Sequence, residues 1–169
     1  LEVTESKPYA ISFDSDNFGS QYTGEVRFGF SATHANIFTL GDQFSARYTR
    51  SNGELNSYSP FYTFPVNAYG TRIKLSYSFS ENELSDSLDY LDAGGESFTY
   101  GLEVSHLLHK NRKASFSART GLNIKSSENT SGMINTTKDN LTEVFLGFGG
   151  NFTDSYLGRT FYDLKFKMG

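Results

Sequence analysis

His34, His106 and His109 are the chain's three imidazoles, and they are scattered along it. No Ser/His/Asp set can be placed around them, and with no cysteine there is neither a thiolate nucleophile nor a thiolate metal site. Asp86, Asp89 and Asp92 carry the oxygen ligands a hard cation takes, but their spacing builds no EF-hand loop and reads as an acidic, solvated segment. Gly147-Phe148-Gly149-Gly150 is followed by neither Lys-Ser/Thr nor a helical pattern, so it is no phosphate loop. Asn-x-Ser/Thr triplets begin at Asn129, Asn135, Asn140 and Asn151. They are read as a product of a Ser/Thr/Asn-rich composition, because Asn140 and Asn151 flank an expected strand. The expectation is no catalytic residue, no metal ligand, no cofactor and no enzyme.

The chemistry that does recur is charge at every second position. Arg27, Arg47, Arg72, Lys74, Arg119, Lys165 and Lys167 face the same way as Glu25, Glu103, Glu143 and Asp163 within segments of period-two alternation. Charges at mid-strand require that face to be wet. In residues 71–80, Ile73, Leu75, Tyr77 and Phe79 share one face and Arg72, Lys74, Ser76 and Ser78 the other. The same alternation sets Phe28 and Phe30 against Arg27 and Gly29, Phe44, Ala46 and Tyr48 against Ser45 and Arg47, and Leu102 and Val104 against Gly101 and Glu103. It continues with Leu122 and Ile124 against Gly121 and Asn123, Leu146 and Phe148 against Phe145 and Gly147, and Leu164 and Phe166 against Asp163 and Lys165. With weaker segments near 9–14 and 57–64, about nine strands are expected. One short helical candidate, residues 83–91, interrupts them. The candidate wall residues are Arg27, Arg47, Arg72, Lys74, Glu103, Arg119 and Glu143.

The elements that must hold this face are legible from composition. Hydrophobic residues make up 37% of 169 residues, yet aromatics reach 16%. A globular core draws on roughly 45–50% apolar residues, whereas a sheet wet on one face needs only every second position apolar. The net charge of −4 and the lack of a basic tract disfavour nucleic acid as a partner. No apolar run approaches the roughly 20 residues of a spanning helix, but tilted strands of roughly 10 residues would suffice. Polar connectors are expected at 15–22, 50–56, 80–97 and 125–140, with generally tighter turns at 33–42, 65–70, 109–113 and 153–159. This is the long-outside, short-inside tendency of outer-membrane barrels.

Alternation alone does not separate such a barrel from a soluble sandwich or lipocalin, which inverts it. Aromatic residues crowd the strand ends (Tyr48, Tyr58, Tyr62, Phe64, Tyr69, Phe79, Phe98 and Tyr100), as in a girdle. The strands are long for a soluble sheet, and the loops are rich in Ser, Asn and Asp. These features favour a transmembrane antiparallel up-and-down β-barrel. Single-chain bacterial barrels use even strand numbers, so an odd count makes residues 1–169 a partial barrel, a mature or excised piece.

Specific residues then resemble a known family. Asp16-Asn17-Phe18-Gly19-Ser20 followed by Thr23-Gly24 resembles the opening hairpin of the two-partner secretion transporters (TpsB, the ShlB/FhaC-type haemolysin-activator and adhesin-secretion family). Asn36-Ile37-Phe38-Thr39-Leu40-Gly41-Asp42-Gln43-Phe44-Ser45 is similar to that family's first periplasmic turn and third strand. Tyr62-Thr63-Phe64-Pro65-Val66 and Tyr69-Gly70-Thr71-Arg72-Ile73 are similar to its fourth strand, second turn and fifth strand. The likeness covers most of residues 11–150.

The resemblance implies the N-terminal part of a 16-stranded outer-membrane barrel that exports a large haemolysin- or adhesin-like partner without a nucleotide. Periplasmic domains, the plug helix and the second barrel half, with its Arg-Gly-Tyr loop motif, are not in this sequence. Only fold-defining turn residues therefore carry over: Asp16, Asn17, Gly19, Gly24, Gly41, Asp42, Pro65 and Gly70. Asn and Gly tolerate the positive φ of tight hairpins, and Pro65, lacking an N–H, should end its strand. Membrane lipid and lipopolysaccharide are the other expected contacts. The rival functions are a passive diffusion porin, an outer-membrane assembly barrel of the same superfamily, and a soluble ligand-binding barrel.

Overall fold

The computed structural model describes residues 7–83, 93–131, 135–154 and 158–169. These form a single antiparallel meander: β1 (Tyr9–Asp16), β2 (Arg27–Ala35), β3 (Gln43–Ser51), β4 (Leu55–Tyr58), β5 (Phe61–Pro65), β6 (Thr71–Glu83), β7 (Ala93–Lys110), β8 (Ala114–Ser131), β9 (Asn135–Thr153) and β10 (Arg159–Met168). Each strand pairs with its neighbours in sequence, β4 and β5 sharing the place between β3 and β6. Among the described residues no ladder joins β1 to β10. Of the helical candidate, Glu83 ends β6 and the remainder lies outside the described residues, as do Asp86, Asp89 and Asp92.

The strand count exceeds the expected nine because residues 57–64 are divided at Ser59-Pro60. The crossing itself is continuous: Tyr48 opposes Tyr58 and Ser45 opposes Phe61 in one register on β3, and Phe79 and Ser76 oppose them on β6. The Tyr77 N–H donates to the Pro60 carbonyl at 3.0 Å. Pro60 has no N–H to return, so one ladder bond is lost and the strand is split. Pro65 ends β5, as expected of a residue with no N–H for the ladder.

Within the expected connectors at 80–97 and 125–140, residues 80–83, 93–97, 125–131 and 135–140 are strand. β7 and β8 are each 18 residues long and β9 is 19, and residues 132–134 alone separate β8 from β9. The alternation signal stops near Lys125 because both faces turn polar, while the ladder continues from Ser126↔Asn140 to Ser131↔Asn135. Connector length therefore does not distinguish the two ends of this sheet; strand overshoot does. At ~3.3 Å per residue and a tilt of ~40°, such strands rise ~45 Å, against an apolar band ~25 Å tall.

That band is visible on one face. Register aligns Phe13, Phe30, Tyr48, Tyr58, Phe79 and Phe98 in a single row across β1, β2, β3, β4, β6 and β7. Ring contacts bind part of the row: 4.7 Å between Tyr48 and Tyr58, 6.2 Å to Phe79 and 4.8 Å on to Phe98. One row beyond, the same face presents Arg50, Asn56, Glu81, Glu96, Glu128 and Lys138. The apolar belt ends there from β3 onward, while on β2 Phe28, opposite Arg50, carries it one row further.

Burial separates this sheet from a soluble one. Among the described residues Phe145 is the only buried hydrophobic side chain, while Leu75, Leu102, Ile124, Val144 and Leu146 stay exposed on the apolar face. A lipocalin-like barrel would hide such residues inside. No described helix is long and apolar enough to cross a membrane, which leaves strand crossing open.

Candidate functional site

The opposite face is built from charges, small hydroxyls and glycines. Register parity puts Arg27, Arg47, Arg72, Lys74, Glu103, Arg119 and Glu143 together on it. Most of these are tied down. Arg47 makes a two-pronged contact with Asp14, at 2.9 and 2.7 Å, and a third bond to Ser31. Arg27 forks onto Asp16 at 2.9 and 3.1 Å. Arg119 reaches both oxygens of Asp163 at 2.5 Å. Glu143 accepts from Asn123 and Lys167, each at 3.0 Å. Arg72 bonds the Gly41 carbonyl at 2.7 Å.

Glycines make these contacts possible. Arg47 and Asp14 lie on β3 and β1 and meet across Gly29 of β2, where a Cβ would lie 2.4 Å from Arg47 Nη2 and 2.5 Å from Asp14 Oδ2. Gly147 likewise leaves room for Arg119 to cross β9 to Asp163, a Cβ there falling 2.8 Å from Arg119 Nε. The missing side chain in the middle strand lets charges two strands apart neutralise each other. Asp14 was not among the sequence candidates, because pairing over an intervening strand has no signature along the chain; alternation with Phe13 was the available clue.

One place on the face departs from this pairing. A notch of ≈ 190 Å³ is lined by Lys74, Ser76, Gly101, Glu103, Asn123, Phe145 and Lys165, together with Leu102. The Lys74 ammonium rests 4.5 Å from the Phe61 ring centre and that of Lys165 3.8 Å from Phe145. Phe145, 3% exposed, fills the space above Gly121.

The turn residues have separate local reasons. Gly24, Gly41 and Gly70 adopt φ of 102°, 86° and 88°. Asn17 and Gly19 do not have positive φ, contrary to expectation; Asn36, at 57°, does. Gly19 is required by close approach instead, since a Cβ would meet the carbonyl oxygens of Gly24 and Glu25. Asp16 lies in β1 rather than in the turn. Asp42, 1% exposed, anchors the β2–β3 turn. Its carboxylate accepts from the backbone N–H of Ile37, Phe38 and Thr39 at 2.7–2.9 Å and from the Tyr62 hydroxyl at 2.6 Å. Burial alone would raise its pKa, but these donors outweigh it and hold the carboxyl well below the usual range. The first connector is clasped to the β3–β4 turn: Ser51 donates to the Thr23 carbonyl, and Asn52 Oδ1 accepts from Val26 N–H at 3.1 Å.

His106 bonds Thr71 and His109 lies beside Asn111, with no shared site. Among the described residues no group of His, Asp and Glu is arranged to hold a metal.

An antiparallel meander with one charge-paired wet face and one girdled apolar face is the architecture of an outer-membrane β-barrel wall. The family model described as haemolysin secretion/activation protein ShlB/FhaC/HecB matches residues 1–169, and the chain belongs to that family. No curated protein matches it. Among solved structures, CdiB from Escherichia coli shares the fold, with a TM-score of 0.86 at 19% identity over 98% of this chain. The chain spans about a third (32%) of the length of that structure.

Proposed function

We propose that the intact protein is an outer-membrane pore that exports one large haemolysin- or adhesin-like partner, and that residues 1–169 supply wall rather than machinery. The carrying observation is the family match over the whole chain. The polar face supports it: its charges of both signs are largely paired, leaving a wide, weakly selective surface suited to an unfolded chain of varied sequence. A larger barrel, of which this segment is a part, fits the sheet: among the described residues no ladder joins β1 to β10, and further strands would pair both edges. The apolar belt faces lipid, and the charged row with Glu81, Glu96 and Glu128 sits at the level of lipopolysaccharide head groups.

The test deletes the parent gene and follows secreted partner and small-solute permeation together. Loss of the partner from the medium with unchanged permeation is the expected outcome. Lost permeation with normal secretion would identify a diffusion porin and overturn the reading.

A further inference from the structure

The polar face pairs Arg27, Arg47 and Arg119 with carboxylates, seats Arg72 on a carbonyl oxygen, and leaves certain lysines unpaired. Lys74 opposes Glu103 directly in register, yet forms no ion pair with it and leans on Phe61 instead. Lys165 could have joined Asp163 two residues away, but Arg119 takes both oxygens of that carboxylate. Lys167 is occupied by Glu143. Lys125, opposite Thr99 and two residues above Asn123 on the same face, is exposed and forms no ion pair among the described residues. The notch therefore gathers two ammonium groups with a third cation just above, against the unpaired carboxylate of Glu103; Glu143, at the rim on Asn123, is already held by Lys167.

Each contact seats a lysine ammonium over a ring while leaving the N–H donors that point away from it free. Gly101 makes room for the Ser76 and Asn123 side chains, which supply neutral polar edges, and Gly121 makes room for the Phe145 ring. Among the described residues, no acidic side chain other than Glu103 lines the space.

We propose that this notch is a docking point for acidic side chains of a polypeptide lying along the polar face: a cationic foothold on a wall whose other charges are mostly cancelled. The proposal rests on the pore reading. Charge complementarity selects the occupant, because excess ammonium charge with free donors takes carboxylates from an extended chain and repels basic segments. The contact is exposed and salt-screened, so it is weak, as a step in transit must be.

The experiment records conductance of the full-length protein in planar bilayers at about 0.1 M salt, where the screening length is about 10 Å. Hexaglutamate or hexalysine is added to it. Hexaglutamate should block at the lower concentration. Lys74→Gln with Lys165→Gln should raise the blocking concentration about threefold to tenfold, the scale of two exposed charge contacts. Lys74→Arg with Lys165→Arg should retain block, and Lys138→Gln, on the opposite face, should leave it unchanged. Heat-modifiability on gels establishes that each variant is folded, and the single Gln variants serve if the double one is not. Channels blocked equally by both peptides, or equally in parent and double Gln variant, overturn the notch and leave the pore standing. A protein that forms no channel at all overturns the pore reading itself, and the notch with it.

Discussion

Leu75 and Ser76 are adjacent in β6 and point to opposite faces, so one substitution at both reads the environment of each face. Leu75 belongs to the row Tyr62, Leu75, Leu102, Leu122 and Val144 on the apolar side. It lies four residues above Thr71, where the belt begins on this strand, and six below Glu81, where the charged row ends it. At ~3.3 Å per residue and ~40° tilt, those distances are ~10 and ~15 Å along the membrane normal. Leu75 is then close to mid-membrane, where an arginine costs about 2–4 kcal/mol. Phe79, only two residues below Glu81, sits ~5 Å from the boundary, so the charge itself should cost about 1 kcal/mol or less there. Ser76 opens beside Gly101, whose missing Cβ leaves space near its hydroxyl. Arginine there remains in water and should change stability by under about 1 kcal/mol.

The assay is urea unfolding of the full-length protein in lipid vesicles, read by the folded band on unheated gels, because this segment has no tryptophan to report. Leu75→Arg should be the most destabilised and Ser76→Arg near the parent. Equal costs at both positions, or the reverse order, would refute the assignment of faces and point to a sheet covered by protein.

Asp42→Asn should speed hydrogen exchange of the Ile37, Phe38 and Thr39 amides about tenfold or more, since the anionic acceptor they share is weakened. Asp42 is depressed in the folded state, so its stabilisation is present above the unfolded value of about 3.9 and fades only as pH falls through the lower folded value. Amide protection in this turn should accordingly be flat from pH 7 to about 4 in the parent; loss of protection between about 7 and 5 would contradict the sign. For the pair Arg47–Asp14, Arg47→Gln should shift bilayer conductance toward cations by uncovering Asp14, and adding Asp14→Asn should reverse the shift. A double variant no different from the single one would show that the pair does not set the local field.

What the sequence made legible was whatever has a local period. Ile73, Leu75, Tyr77 and Phe79 announce both strand and face, and so do Leu122 and Ile124, because the pleat forces alternation. Pro65 announces its strand end. Ladders whose two faces are equally polar were not legible: Ser126 to Ser131 read as a loop, although they pair residue by residue with β9. Nor were the pairings over glycine. Arg47 and Asp14 are 33 residues apart, and only the register of β1 on β2 and β2 on β3 brings them together. The division at Pro60 was missed for a different reason, since the register on either side of it does not change.

The pairing pattern bears on what kind of conduit this wall suits. A pore that discriminates among small ions needs uncompensated fixed charge, because field focused in a confined channel sets local ion concentration. Here Arg27, Arg47, Arg119 and Lys167 each meet a carboxylate of the same face, and Arg72 is spent on a turn carbonyl. The fields of the four ion pairs largely cancel within a few ångströms of the wall. An unfolded polypeptide presents both signs of charge along with apolar groups, so a strongly charged wall would hold some segment of almost any sequence too tightly to release it. Cancelled charge lowers that barrier while keeping the surface hydrated. The glycines at 29 and 147 serve this end as much as packing does: without the room they leave, Arg47 and Arg119 would stand free on the polar face. The few cations left unpaired then matter more, because little else on the wall competes with them for a passing carboxylate.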